Sequence, residues 1–345
     1  MTHSPINTLR YGNGAYVMMR HLDTCRLAVL LLIMSAGSAA APALDEPIQP
    51  LPLTVELDPD RVALGEKLFN DPRVAHNNVV ACASCHQLEQ GGDDGQPRSV
   101  TYNGEPDLTN APSIFNRAYN FRLTWRGAFR TLEEHDDADL QNPRHAATTW
   151  KELLPKLEAD PVYATTFARL YGAVRKEYVL NALATYERSL ITPNAPFDRY
   201  LRGDVNAISP EQKHGYALFK SYGCISCHQG INVGGNLFQK FGLFEDYFQL
   251  RGGPITPADL GRFNVTQDER DRHVFRVPSL RNVAVTAPYF HDGSIDRLDL
   301  AVGIMARVQL GRKPPQDDIQ AIVTFLESLT GEYQGRSLAP LRTSP

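Results

Sequence analysis

The chain has 345 residues, 42% of them hydrophobic, with 35 basic against 39 acidic side chains and a net charge of −4. That composition fits a soluble globular protein long enough for two domains, and excludes a chain disordered throughout. The mildly acidic balance gives no electrostatic footing for nucleic acid.

Arg20 and Arg26 precede the apolar run Leu27 to Met34, and small residues through Ala39, Ala40 and Ala41 then offer a cleavage site. This reads as an export signal over residues 1–40, with Met18 or Met19 as alternative starts. The run falls short of the ~20 apolar residues that a spanning helix needs, so the mature chain is expected to have no membrane span. Cleavage near Ala40 would remove Arg10, Arg20, Arg26 and Asp23, leaving 32 basic against 38 acidic residues, net −6. It would also remove Cys25, one of five cysteines. The rest sit in two motifs, so no disulfide is expected, which suits an oxidising compartment such as the periplasm.

Helical periods dominate the remainder and alternating strands are scarce, so the fold class is mainly α with long loops. Asp58 and Pro59 open a helix through Phe69, as cap and first helical residue. Cys82, Cys85 and His86 follow as a Cys-x-x-Cys-His motif. Val174, Tyr178, Val179, Ala182, Leu183, Tyr186 and Leu190 mark one apolar helix face that closes a first domain, residues 41–191. Two prolines and several turn residues make 192–207 a linker. Ser209, Pro210 and Gln212 form a capping box whose helix reaches Tyr222 and delivers a second motif, Cys224, Cys227 and His228. The stretch from Gly230 to Asp271 reads as loop. Leu298, Ala301, Val302 and Met305 then share a helix face, and Ile319 to Leu329 give a last helix stopped at Gly331. These close a second domain, residues 208–331, with 332–345 as a peripheral tail.

In each motif two thiols can add across the vinyl groups of one haem and the next histidine can ligate its iron. Cys-x-x-Cys alone also serves redox dithiols and zinc sites, but a histidine after both pairs favours two covalent haems c. One haem per domain is the simplest division, giving two cytochrome c-like units.

The strings LGEKLFNDPRV, CASCHQLEQGG, VFRVPSLRNVAVTAPYFHDGS and IMARVQLG resemble the bacterial di-haem cytochrome c peroxidase family over about Leu57 to Gly331. The resemblance implies that an electron-accepting haem in the second domain takes electrons from a small cytochrome or cupredoxin. It passes them to a peroxidatic haem in the first, where hydrogen peroxide becomes water. It also implies His228 and Met305 as axial ligands of the second haem, His86 as proximal ligand of the first, and Trp125 between them. A calcium ion held by Asn110, Thr286 and Pro288 is implied too, as is a homodimer, since relatives are commonly dimers. In the related methylamine-utilisation enzymes tyrosine takes the place of Met305.

The pattern breaks on the far side of the first haem. The family's catalytic glutamate and its neighbouring glutamine fall at His145 and His135, and its removable distal histidine at Tyr102. His145 could act as the base, either histidine could close the iron as a sixth ligand, or both could be solvated; the acidic neighbours of His135 favour its exposure. Rival readings are therefore an enzyme that oxidises a residue on a partner protein, and a di-haem electron carrier without peroxidase activity.

Overall fold

A computed structural model describes residues 44–339. The expected export signal lies outside the described residues. In chain order the helices are α1 Pro59–Asn70, α2 Cys82–Cys85, α3 Leu132–Gln141, α4 Trp150–Ala159, α5 Pro161–Tyr171, α6 Lys176–Ser189, α7 Pro196–Leu201, α8 Pro210–Tyr222, α9 Tyr247–Arg251, α10 Phe263–Thr266, α11 Leu298–Leu310 and α12 Gln316–Glu327. Strands are few and short: β1 Phe238–Lys240 pairs antiparallel with β2 Val274–Arg276, and β3 Glu332–Tyr333 with β4 Arg336–Ser337. The mainly α expectation is met. No described helix is long and apolar enough to cross a membrane.

Several helix starts follow from their sequence. Asp58 accepts from the N–H groups of Asp60 and Arg61 at the head of α1, and Ser209 and Gln212 close the capping box of α8.

Two large hydrophobic cores form among the described residues, with a small third cluster of Leu123, Leu132 and Ala184. One gathers Leu64, Leu68 and Phe69 of α1 with Leu153, Phe167, Leu183 and Tyr186. The other gathers Tyr216 and Phe219 of α8 with Phe197, Val308, Ile322 and Phe325. The helix before each Cys-x-x-Cys-His motif crosses a later helix at a glycine. A Cβ on Gly65 would lie 2.0 Å from the Ala182 carbonyl and 2.6 Å from Tyr186 Cβ. A Cβ on Gly215 would lie 1.9 Å from the Ala321 carbonyl and 2.9 Å from Phe325 Cβ. Each crossing thus joins a glycine to a residue pair four apart, and the two halves repeat one packing device.

The connections differ from the sequence reading. Within residues 192–207, read as a linker, α7 buries Phe197 and Leu201 in the second core. The stretch from Gly230 to Asp271 contains β1, α9 and α10. Both described ends cross over. Ile48, numbered with the first half, packs in the second core and bridges Gly230, while Tyr333, read as peripheral tail, packs against Phe115 in the first.

Candidate active site

The two motifs line two cavities that share one wall, made by Asn110 to Ser113, Asn120, Trp125 and Arg276. In the first cavity, α2 presents Cys82 and Cys85, and His86 caps the helix by donating its backbone N–H to the Cys82 carbonyl at 3.0 Å. His86 Nδ1 lies 3.2 Å from the Gly92 carbonyl. In the second cavity His228 Nδ1 lies 3.3 Å from the Val233 carbonyl. A carbonyl at Nδ1 fixes the proton there and leaves the Nε2 lone pair free, the arrangement usual for a metal-ligating histidine. Burial pushes both imidazoles down to about 4, so both are neutral; beside His86 the Arg117 charge adds to the effect.

The thiols test the alternatives. A redox dithiol needs a depressed thiol pKa. Burial instead drives Cys82 well up and holds Cys85 and Cys224 at about 11. Protonated thiols beside a neutral imidazole, in cavities with largely apolar walls, fit covalent haem.

Met305, on α11, lines the second cavity together with His228. Trp125 lines both cavities, and its Nε1–H donates to the Asn110 carbonyl at 2.9 Å. Asn110, Thr286 and Pro288 all line the second cavity. The Asn110 amide nitrogen donates to the Gln96 carbonyl at 3.0 Å, and the Thr286 hydroxyl makes only long contacts, 3.4 and 3.5 Å, to the carbonyls of Val283 and Asn282. Oxygen donors of this hard type suit calcium.

The far wall of the first cavity holds most of the surprises. Tyr102, His135 and His145 all reach it. His135 is not exposed: its side chain is 16% accessible, with Nδ1 2.8 Å from Arg117 Nη2. Of the acidic run that suggested exposure, Asp136 is itself buried, and α3 brings it to the cavity together with His135 and Asp139. His145 is clamped, with Nδ1 against the Asp139 carboxylate and Nε2 3.3 Å from Asp107. Burial alone would lower its pKa, but the hydrogen bonds to Asp107 and Asp139 raise it to about 10. Burial opposes ionisation of Asp139 as well, yet His145 keeps it well below the usual carboxylate range. His145 is thus an imidazolium between two carboxylates, and both of its nitrogens are engaged.

Behind His135, Asp136 and Glu187 are pushed up to about 7 and about 8 by burial, against the pull of Arg117. Each keeps one buried oxygen without a partner, so a proton between the two carboxyls satisfies both. Asp107, Asp136, Asp139, Glu187 and Arg117 escaped the sequence reading because their role depends on contacts far along the chain. A separate group, Asp259, His291 and Asp292, has ligand-like spacing. Its centre is filled instead: Asp259 accepts from Arg251 at 2.7 and 2.9 Å and from His291 at 2.7 Å.

Two Cys-x-x-Cys-His motifs in adjoining cavities, one with a methionine and one with a polar far wall, fit a redox protein that holds two haems. The chain belongs to the di-haem cytochrome c peroxidase family, whose model matches residues 59–206. The family's enzymes are oxidoreductases. The chain is 44% identical to cytochrome c peroxidase Ccp of Escherichia coli K12 over 84% of its own length, and spans 62% of that longer protein. It is 39% identical to the cytochrome c551 peroxidase of Nitrosomonas europaea, over 89% of this chain and 92% of the relative. The methylamine utilization protein MauG of Methylorubrum extorquens is 31% identical over 85% of this chain and 84% of its own. Among solved structures, a MauG-like protein associated with microbial copper homeostasis superposes with a TM-score of 0.68 at 25% identity, covering 83% of this chain and 94% of that one. The diheme peroxidase BthA of Burkholderia thailandensis E264 shares the fold, with a TM-score of 0.67 at 21% identity over 80% and 87% of the two chains.

Proposed function

We propose that the chain is an exported, periplasmic di-haem c peroxidase that reduces hydrogen peroxide to water with electrons from a small cytochrome or cupredoxin. The observation that supports it best is the common wall: Trp125 borders both cavities, so an electron-accepting site at His228 and Met305 adjoins a peroxide site at His86. Each half would carry one haem on its own cytochrome c-like unit, with the calcium ion bound by Asn110, Thr286 and Pro288. The haems, when bound, supply redox-active iron for electron uptake at one site and peroxide reduction at the other.

The residues around His86 supply the rest. Reduction of one peroxide to two waters takes two electrons and two protons, and cleavage of the O–O bond is eased by a group that moves a proton between the two oxygens. The missing glutamate and glutamine are replaced by an ion-pair relay. Asp139 is the proton acceptor facing the cavity, and His145, protonated at neutral pH, is the donor that returns the proton. Asp107 holds His145 in place. His135 Nδ1 lies 2.8 Å from Arg117 Nη2 and 3.3 Å from the Asp136 carboxylate, so this histidine is held against the cavity by both.

With both nitrogens bound to carboxylates, His145 has no lone pair for iron, which favours an open peroxide site over one closed by His145. Electron paramagnetic resonance of the oxidised and half-reduced protein tests this. A high-spin component from the first haem and a low-spin signal from the second are expected; an oxidised spectrum that is entirely low-spin, with the signal left after half-reduction still low-spin and no peroxide consumed, would refute it. Rapid turnover with a reduced small cytochrome separates peroxide reduction from oxidation of a partner protein.

A further inference from the structure

Three arginines are buried in the described residues, and two have counter-ions: Arg281 pairs with Asp198 at 3.0 Å, and Arg117 lies 3.5 Å from Glu187 and 3.8 Å from Asp136. Arg276, at the end of β2 and 4% exposed, makes no ion pair with any described residue. Its Nε–H donates to the Thr124 carbonyl at 3.2 Å and Nη1 to the Val277 carbonyl at 3.3 Å. A guanidinium has five N–H donors in a rigid fork, so three are left. Burial and the nearby Arg117 lower its pKa, but only to about 10, so the side chain is still a cation at neutral pH.

An uncompensated buried charge is strongly destabilising, and a buried arginine is retained where an anion meets it. Arg276 borders both haem cavities, and its backbone N–H donates to the Trp125 carbonyl at 2.9 Å, which fixes it to the common wall. The anions that would enter those cavities are the propionate carboxylates of the haems. Planar carboxylates match the donor fork of arginine better than the point charge of a lysine.

We propose that Arg276 is a shared carboxylate anchor, binding a propionate from each haem and setting the reduction potential of both through one positive charge. The inference rests on the di-haem reading. A cation beside a haem favours the reduced iron, which carries one positive charge fewer, so Arg276 raises both potentials. It also couples them, because one guanidinium answers to carboxylates on both rings.

The test uses the full-length, haem-loaded protein and its Arg276→Gln and Arg276→Lys variants, with covalent haem content measured first and both midpoint potentials then followed spectroelectrochemically. Wild-type protein without two covalent haems would sink the di-haem reading itself. With both haems in place, the glutamine variant is expected to shift both midpoint potentials downward, and the lysine variant to recover most of each shift. Unchanged potentials in the glutamine variant overturn the anchor, and a shift in one haem alone overturns its sharing. If the glutamine variant does not fold, resonance Raman spectra of wild type and lysine variant decide: propionate bending modes of both haems must move between the two, and modes that coincide overturn the proposal.

Discussion

The indole Nε1–H of Trp125 donates to the backbone carbonyl of Asn110 at 2.9 Å, so the aromatic ring of the common wall is fastened to the residue read as a calcium ligand. Asn110 in turn donates its own backbone N–H to the His291 carbonyl at 2.8 Å, a contact from the first half of the chain to the second. The wall between the cavities is therefore held by hydrogen bonds from both halves.

Trp125→Phe keeps an aromatic ring while removing that donor and part of the indole surface. Leaving the Asn110 carbonyl unpaired costs about 1 kcal/mol or somewhat more. The variant is expected to keep both haems, unfold at a lower denaturant midpoint, and turn over peroxide more slowly. Rapid-mixing kinetics alongside denaturant unfolding check it; full turnover with a lowered midpoint would make Trp125 purely structural.

Asp139→Asn removes the proposed proton acceptor while leaving a side chain of the same shape beside His145. General acid–base groups commonly contribute 10²–10⁴-fold, so kcat is expected to fall on the order of 100-fold or more with haem spectra retained. Steady-state peroxide consumption measures it, and kcat within about twofold of wild type would remove Asp139 from the chemistry.

His145 makes a pH signature. Its folded-state pKa, about 10, stands above the ordinary histidine value of about 6.5, so its contribution to stability is complete below that ordinary value. The contribution is lost as pH rises through about 10. The difference in melting temperature between wild type and His145→Gln should therefore be greatest at pH 6 and shrink toward pH 10. A difference that does not change with pH would show that His145 is neutral in the folded protein.

The two glycine crossings predict parallel damage. A methyl at Gly65 or Gly215 meets a carbonyl oxygen at about 2 Å, so the helices must separate. Overpacking of this kind costs typically about 1–3 kcal/mol, and Gly65→Ala and Gly215→Ala should each lower the denaturant midpoint by a comparable amount. Midpoints at the wild-type value would mean that the crossings yield freely.

What the sequence reveals and what it hides divide along physical lines. The start of α8 is legible because the Ser209 and Gln212 box is a local hydrogen-bond exchange, and α6 is legible because its apolar face repeats every turn. The motif at Cys82, Cys85 and His86 is legible because five consecutive residues hold the whole pattern. The burial of α7 within 192–207 was hidden because Phe197 and Leu201 find their core partners far away in the chain. His135 was misread because its neighbour Asp136 is buried with it rather than solvated, and its partner Arg117 lies 18 residues away. The clamp on His145 joins residues 38 positions apart, and no spacing rule announces it.

The account turns on peroxide meeting electrons that entered through the other cavity. Stopped-flow mixing of protein reduced only at its high-potential haem with a stoichiometric amount of hydrogen peroxide, followed in the visible spectrum, tests this most directly. The account predicts rapid loss of the ferrous signal of the His228 haem as peroxide is consumed, a response abolished when His86 is replaced by glycine. A ferrous signal that persists through excess peroxide would contradict it.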